Sequence, residues 1–150
     1  QDRTLWNREQ IAEALPLVEE TMRHEIGPYA IEAAIAAEHC RANYPQDTNW
    51  QQISNLYSLL EQVMPSPVVT LNKAVAIAMA QGPGKALPVL DSLTASGELD
   101  DYYLLHAARA DMFRRLGQRE SAAQSYSRAL EIVTNESERR FLEKRLQEVS

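Results

Sequence analysis

Apolar residues recur along this chain at three- and four-residue intervals, and strict alternation of apolar and polar positions is absent, so the pattern predicts helices throughout. Asn7 with Gln10 forms a predicted capping box ahead of Ile11, Leu15 and Val18, and Pro16 is expected to kink or end that first helix early. Gly27-Pro28 opens an alanine-rich helix (Ala30, Ala33, Ala34, Ala36, Ala37) that should stop before Pro45. A polar turn over 45–49 leads to a helix capped by Asn49 and carrying Ile53, Leu56, Tyr57, Leu60 and Met64. Ser66-Pro67 starts the next helix, with Val68, Leu71, Val75, Ile77 and Met79, which closes at Gly82-Pro83. A short helix with Leu87, Leu90 and Leu93 should end near Gly97. Asp100 or Asp101 is expected to cap a long helix running to Gly117, a predicted left-handed C-cap. A helix over roughly 119–134 follows. Asn135, with Glu138 three residues on, then starts a last helix carrying Phe141, Leu142, Leu146 and Val149. The expectation is an all-α fold of about eight helices with short connections.

A longer period overlies the helical one. Ala110, Phe113, Gly117, Ala122, Tyr126 and Ala129 resemble a tetratricopeptide repeat (TPR), in which small residues let two helix axes approach and an aromatic fills the space beside them. Thr134 stands where that repeat usually carries Pro. Stepping back 36 residues finds Ala74, Ala86, Leu90 and Leu93 at equivalent places, and Ile53, Tyr57, Leu60 and Pro65 repeat the second-helix spacing. Three TPR-like units are therefore predicted, at about 28–65, 67–97 and 101–134, within one helical domain spanning 1–150. Residues 1–26 and 135–150 would supply capping helices. The expected architecture is a right-handed stack of antiparallel helix pairs, a TPR-like α-solenoid. The competing reading is a helical bundle with coincidental spacing.

Composition narrows the functional classes. The chain has 150 residues, 45% hydrophobic and 24% charged, values of a globular chain. That length suits one domain or a short repeat array. With 15 Lys and Arg against 21 Asp and Glu the net charge is −6, which does not invite nucleic acid. Its basic clusters, Arg114-Arg115 with Arg119 and Arg139-Arg140 with Lys144-Arg145, read as solvated helix faces. Cys40 is the single cysteine, read as a small buried thiol, and fits a reducing, cytoplasmic setting. No stretch is apolar enough for a membrane span and no leader pattern is present, so no membrane association is expected. Because the chain opens on Gln1, it is expected to be a segment of a longer protein or a processed one.

No catalytic constellation is visible. His24, His39 and His106 are scattered, without metal-ligand spacing, and neither a metal nor another cofactor is implied. His39 and Cys40 are neighbours about 100° apart on a helix, unsuited to act as nucleophile and base. Gly82-Pro83-Gly84-Lys85 lacks the full phosphate-loop pattern and reads as a helix–helix turn. His106 is expected in a core or interface, and Trp6 and Trp50 as packing anchors between units. Asp91 and Asp111 could line an inner surface. No enzymatic activity is expected.

Several stretches together carry a resemblance: Asp2-Arg3 through Leu5-Trp6 with IAEALPLVE, GPYAIEAAIAAEHCRA, DTNWQQISNLYSLL, PSPVVTLNKAVAIAMAQGP, YYLLHAARADMFRRLG and NESERRFLEKRL. In order and spacing they resemble the TPR-containing C-terminal extension of a group of bacterial extracytoplasmic-function (ECF) RNA polymerase sigma factors, with Pro16 departing from the pattern. The resemblance implies a regulatory protein-interaction domain acting in transcription initiation. Its partners would be the sigma core domains, RNA polymerase or a regulator, and DNA would be contacted only through N-terminal domains outside this chain. The repeat alignment puts Asn72, Leu104, Asp111 and Arg115 on inner positions of first helices. Arg139 and Arg140 on the last helix complete the candidate partner-binding set, with simple salt bridging to Glu136 or Glu143 as the alternative role for that pair. The competing function is a stand-alone TPR scaffold or adaptor binding a peptide, although Asn72 and Lys73 are the main groove-type residues for such a role.

Overall fold

The computed structural model describes residues 27–41 and 45–150, and the described residues are helical with no strand. Seven α-helices follow one another: α1 (Pro28–Arg41), α2 (Trp50–Val63), α3 (Pro67–Gln81), α4 (Pro83–Ser96), α5 (Tyr103–Arg115), α6 (Arg119–Ile132) and α7 (Glu136–Val149). A single 3-10 turn, Pro45–Asp47, occupies the polar connection before α2. The helix expected within 1–26, with Asn7, Gln10, Pro16 and Trp6, lies outside the described residues, as does His24. The chain divides into two compact units, one ending at Ala76 and the other running from Ile77 to Ser150, and the division falls inside α3.

The helix ends follow from local chemistry. Asn49 Oδ1 accepts the Gln52 N–H at 3.0 Å, and Asn135 Oδ1 accepts the Glu138 N–H at 3.0 Å, so both predicted caps form. Ser66 Oγ accepts the Val68 N–H while its carbonyl accepts the Thr70 N–H, which places it at the head of α3. Between α5 and α6 the backbone of Gly117 has φ +78°, a conformation that costs a side-chain-bearing residue about 1–2 kcal/mol. There the Gln118 N–H bonds the Phe113 carbonyl and the Gly117 N–H that of Arg114, a Schellman closure that lets α6 turn back along α5.

Three expectations are corrected. Neither Asp100 nor Asp101 caps α5: the helix begins at Tyr103 behind Tyr102, which gives no side-chain cap. Buried Leu99 anchors the preceding turn, His106 of α5 itself donates from Nε2 to the Asp100 carbonyl at 2.8 Å, and Arg128 of α6 reaches Asp100 and Asp101, so side chains other than an N-cap hold the loop. The helix before it is not short: α4 runs for 14 residues through Pro88, whose exposed ring is tolerated on the solvent side. Cys40 is exposed, because α1 buries the stripe Ile31, Ala34, Ile35 and Glu38 and Cys40 lies off that face.

In the first unit the core is built from Ile31, Ala34 and Ile35 of α1, Ile53, Leu56 and Leu60 of α2, and Val69 and Ala76 of α3. Trp50 packs on its edge and meets the His39 ring edge-on at 5.3 Å. In the second unit Tyr126 of α6 is 1% exposed and belongs to one cluster with the fully buried Ala110, Ala122 and Ala129, together with Phe113, Val133, Leu142 and Val149. Its hydroxyl accepts from Arg114 Nε at 3.3 Å, so the one polar atom of this ring is satisfied. Burial holds the Tyr126 phenol above its ordinary pKa, against the opposing pull of that guanidinium.

Ala122→Leu should overpack this cluster and destabilise the fold by about 1–3 kcal/mol. Thermal melting followed by circular dichroism is expected to show a lowered midpoint, whereas Gln124→Leu at an exposed position of the same helix should leave it within about 0.5 kcal/mol of the parent.

Candidate functional site

The first unit carries a groove of about 360 Å³ walled by three helices. Glu32 and Ile35 come from α1, Tyr57 and Leu60 from α2, and Val68, Val69 and Asn72 from α3, with Met64 and Ser66 closing the end. The α2–α3 wall is pinned by Glu61, whose carboxylate accepts from Lys73 Nζ at 2.6 Å and from the Thr70 hydroxyl. Those two hydrogen bonds hold the Glu61 carboxyl below its ordinary pKa. Lys73 is thereby committed to structure and is not a free cation for a ligand. One turn before Glu61 on α2, Tyr57 is half-buried, and desolvation, reinforced by the Glu32 carboxylate, raises its phenol above the ordinary range.

The candidate residues read from the sequence are divided between the two units. Asn72 is exposed and lines the groove of the first unit, while Leu104, Asp111, Arg115, Arg139 and Arg140 belong to the second. Leu104, Asp111 and Arg115 lie at intervals of seven and four residues and so share one stripe of α5. Leu104 is 41% exposed and Arg115 is exposed, but Asp111 is engaged by Arg114 one turn on. On α7 the two arginines differ. Arg139 donates from its guanidinium to the Val133 carbonyl at 2.9 Å, tying the α6–α7 turn, and lies 3.9 Å from Glu136. Arg140 stands in solvent with Glu136 3.7 Å away. Asp91 pairs with Arg109 at 3.0 Å across α4 and α5.

Glu32, Tyr57 and Met64 were not singled out as site residues from the sequence. Tyr57 and Met64 fall in the apolar series of α2 and read there as core, and Glu32 carries no local signal at all. Only the approach of α1 to α3 makes them the rim of one groove. Among the described residues no three His, Cys, Asp or Glu side chains group closely enough to hold a metal ion, and no helix is long and apolar enough to cross a membrane.

No protein-family model matches the chain, and no solved structure matches it. It is similar to an uncharacterized protein of Rhizobium meliloti (strain 1021), 44% identical over 148 residues. That match covers 97% of this chain and 34% of the relative, so the chain spans about one third of the relative's length.

Lys73→Met should weaken the α2–α3 wall by about 0.5 kcal/mol at neutral pH, since the pair is partly solvated. Because the folded-state pKa of Glu61 is depressed, its contribution is present above the ordinary value of 4.5 and is lost as pH falls through the depressed value. Urea unfolding of parent and variant should therefore differ at about pH 7 and converge at about pH 3.

Proposed function

We propose that the chain is a TPR-like protein-interaction region of a bacterial ECF-type sigma factor, regulating transcription initiation through contacts with the sigma core, the polymerase or a regulator. The observation that carries the repeat is the burial at its positions. Ala74, Ala86, Leu90, Ala110, Ala122 and Ala129 are all 0% exposed, and Leu93 and Tyr126 are 7% and 1% exposed. At a 36-residue offset Ala110 and Ala122 answer to Ala74 and Ala86, and Tyr126 and Ala129 to Leu90 and Leu93, and burial at all of these places supports the repeat reading. The relative supports a regional role in a longer polypeptide, since two thirds of its length lies outside the matched stretch. The sigma-factor assignment itself rests on the sequence resemblance. A stand-alone adaptor is the second reading, favoured by the groove, whose walls all come from this chain.

Promoter-driven transcription by the full-length parent protein with core polymerase tests the first reading. Arg115→Glu with Arg140→Glu should lower transcription severalfold with helicity and melting unchanged, because both side chains are exposed. Arg139→Glu should instead lower the melting temperature, since it removes the bond to the Val133 carbonyl. Transcription unaffected by the Arg115 and Arg140 changes would remove these two residues from the mechanism.

The 150-residue chain alone should not retain promoter DNA in a gel shift at about 100 mM salt, given its net charge of −6. Sequence-specific retention at sub-micromolar protein would contradict this.

A further inference from the structure

The groove on the first unit has a chemistry that selects its occupant. We infer that it takes one helix of a protein partner, presenting two apolar side chains a turn apart and a lysine or arginine beside them. This rests on reading the chain as a protein-interaction region, and it names the surface and the class of partner.

Three observations converge. The groove is lined mainly by apolar side chains, Ile35, Leu60, Met64, Val68 and Val69, and Met64 is 37% exposed at its end. Its volume of about 360 Å³ is at the small end of ligand sites and suits a pair of aliphatic side chains rather than a whole chain segment. Its polar groups come one from each helix, Glu32 of α1, Tyr57 of α2 and Asn72 of α3, while the Ser66 hydroxyl oxygen accepts the Val68 N–H.

That distribution favours a helix over an extended peptide. An extended chain brings unpaired N–H and C=O groups every residue and needs a ladder of partners, which an apolar wall with three polar groups does not offer. A helix satisfies its own backbone and needs only side-chain anchors at i and i+3 or i+4.

The charge of the partner follows from Glu32. It is exposed, and among the described residues no cation pairs with it. Arg41 is taken by Glu38 and Lys73 by Glu61. The neighbouring Tyr57 phenol, already raised by burial, adds no positive charge. The rim is therefore negative, in a chain of net charge −6, and complements a cation while repelling an acidic helix. Asn72, exposed on the opposite wall, supplies a neutral amide that can bond either end of a polar side chain.

The test uses the full 150-residue chain with labelled methyl groups and three synthetic helical peptides of about 16 residues. The first carries leucines at i and i+4 with flanking lysines, the second replaces the lysines by glutamates, and the third replaces the leucines by serines. The expected result is that the lysine peptide shifts the methyl resonances of Ile35, Leu60, Val68 and Val69. It should bind about tenfold more tightly than the glutamate peptide, and the serine peptide should not bind. Glu32→Gln should shrink the tenfold ratio severalfold, and Val68→Trp should abolish binding by the lysine peptide with melting unchanged. Should Val68→Trp unfold the chain, Asn72→Trp replaces it, since Asn72 is exposed. Equal affinity for lysine and glutamate peptides, or shifts confined to residues after Ala76, overturns the inference. So does the same methyl shift arising without peptide as concentration rises, which means a second copy, or contacts from residues 1–26 to these methyls in the free chain, which means an internal occupant. The promoter assay is independent: it can fail while the lysine peptide binds, and peptide binding can fail while promoter dependence on Arg115 and Arg140 persists.

Discussion

Close approach of helix axes at alanine is the constraint on which the rest of this molecule depends. Ala34, Ala74, Ala86, Ala110, Ala122 and Ala129 are all 0% exposed. Where two helices pack at a buried alanine, as in the clusters holding Ala34 and holding Ala110, Ala122 and Ala129, a methyl group lets the backbones approach closely. The space beside them is then filled by a few large residues, Ile31 and Ile53 in the first unit and Tyr126, Leu105 and Leu142 in the second. Enlarging an alanine pushes the axes apart and strands those larger side chains, which is why the cost is felt beyond the altered residue.

Among the described residues, some ion pairs lie within one helix and others fix helix pairs and loops. Glu61 joins α2 to α3 through Lys73 and Thr70, Asp91 joins α4 to α5 through Arg109, and Arg128 of α6 holds the turn before α5. Arg109 also lays its guanidinium over the Phe113 ring at 5.2 Å, and Arg145 over Phe141 at 5.1 Å, so these charges meet aromatic faces as well as carboxylates. With so many charges committed, those left without a counter-ion gain meaning. Glu32 at the groove and Arg115 on α5 are among several charged side chains with no ion pair to another described residue, and they carry opposite signs in different units.

Glu38 stands apart from that arrangement. Its side chain is fully buried, Arg41 reaches one carboxylate oxygen at 3.3 Å, and the other oxygen has no hydrogen-bond partner among the described residues. Such a group costs stability wherever it is retained. It occupies the stripe position i+7 from Ile31, where the sequence pattern alone calls for an apolar residue.

Much of the fold was written in local signals. Asn49, Ser66-Pro67, Gly97, Gly117 and Asn135 mark helix ends by chemistry confined to a few residues, so each could be read without knowing what lay nearby in space. Where side chains beyond the cap position hold a helix start the local pattern misleads: the turn at Asp100 is held by His106 from within α5 and by Arg128 of α6, and an aspartate that looks like a cap is used as an anchor instead. Likewise the spacing of Arg139 and Arg140 was plain, but that the first ties the Val133 carbonyl while the second faces solvent depends on how α7 leaves α6. Periodicity told which residues turn inward for much of each helix, because 3.6 residues per turn is a property of the backbone itself, but Met79 and Phe141 of those series are exposed. It could not tell which inward faces leave a gap. Glu32, Tyr57 and Asn72 are 25 and 15 residues apart in sequence, and they line one groove only because α1, α2 and α3 converge there through packing between side chains on separate helices.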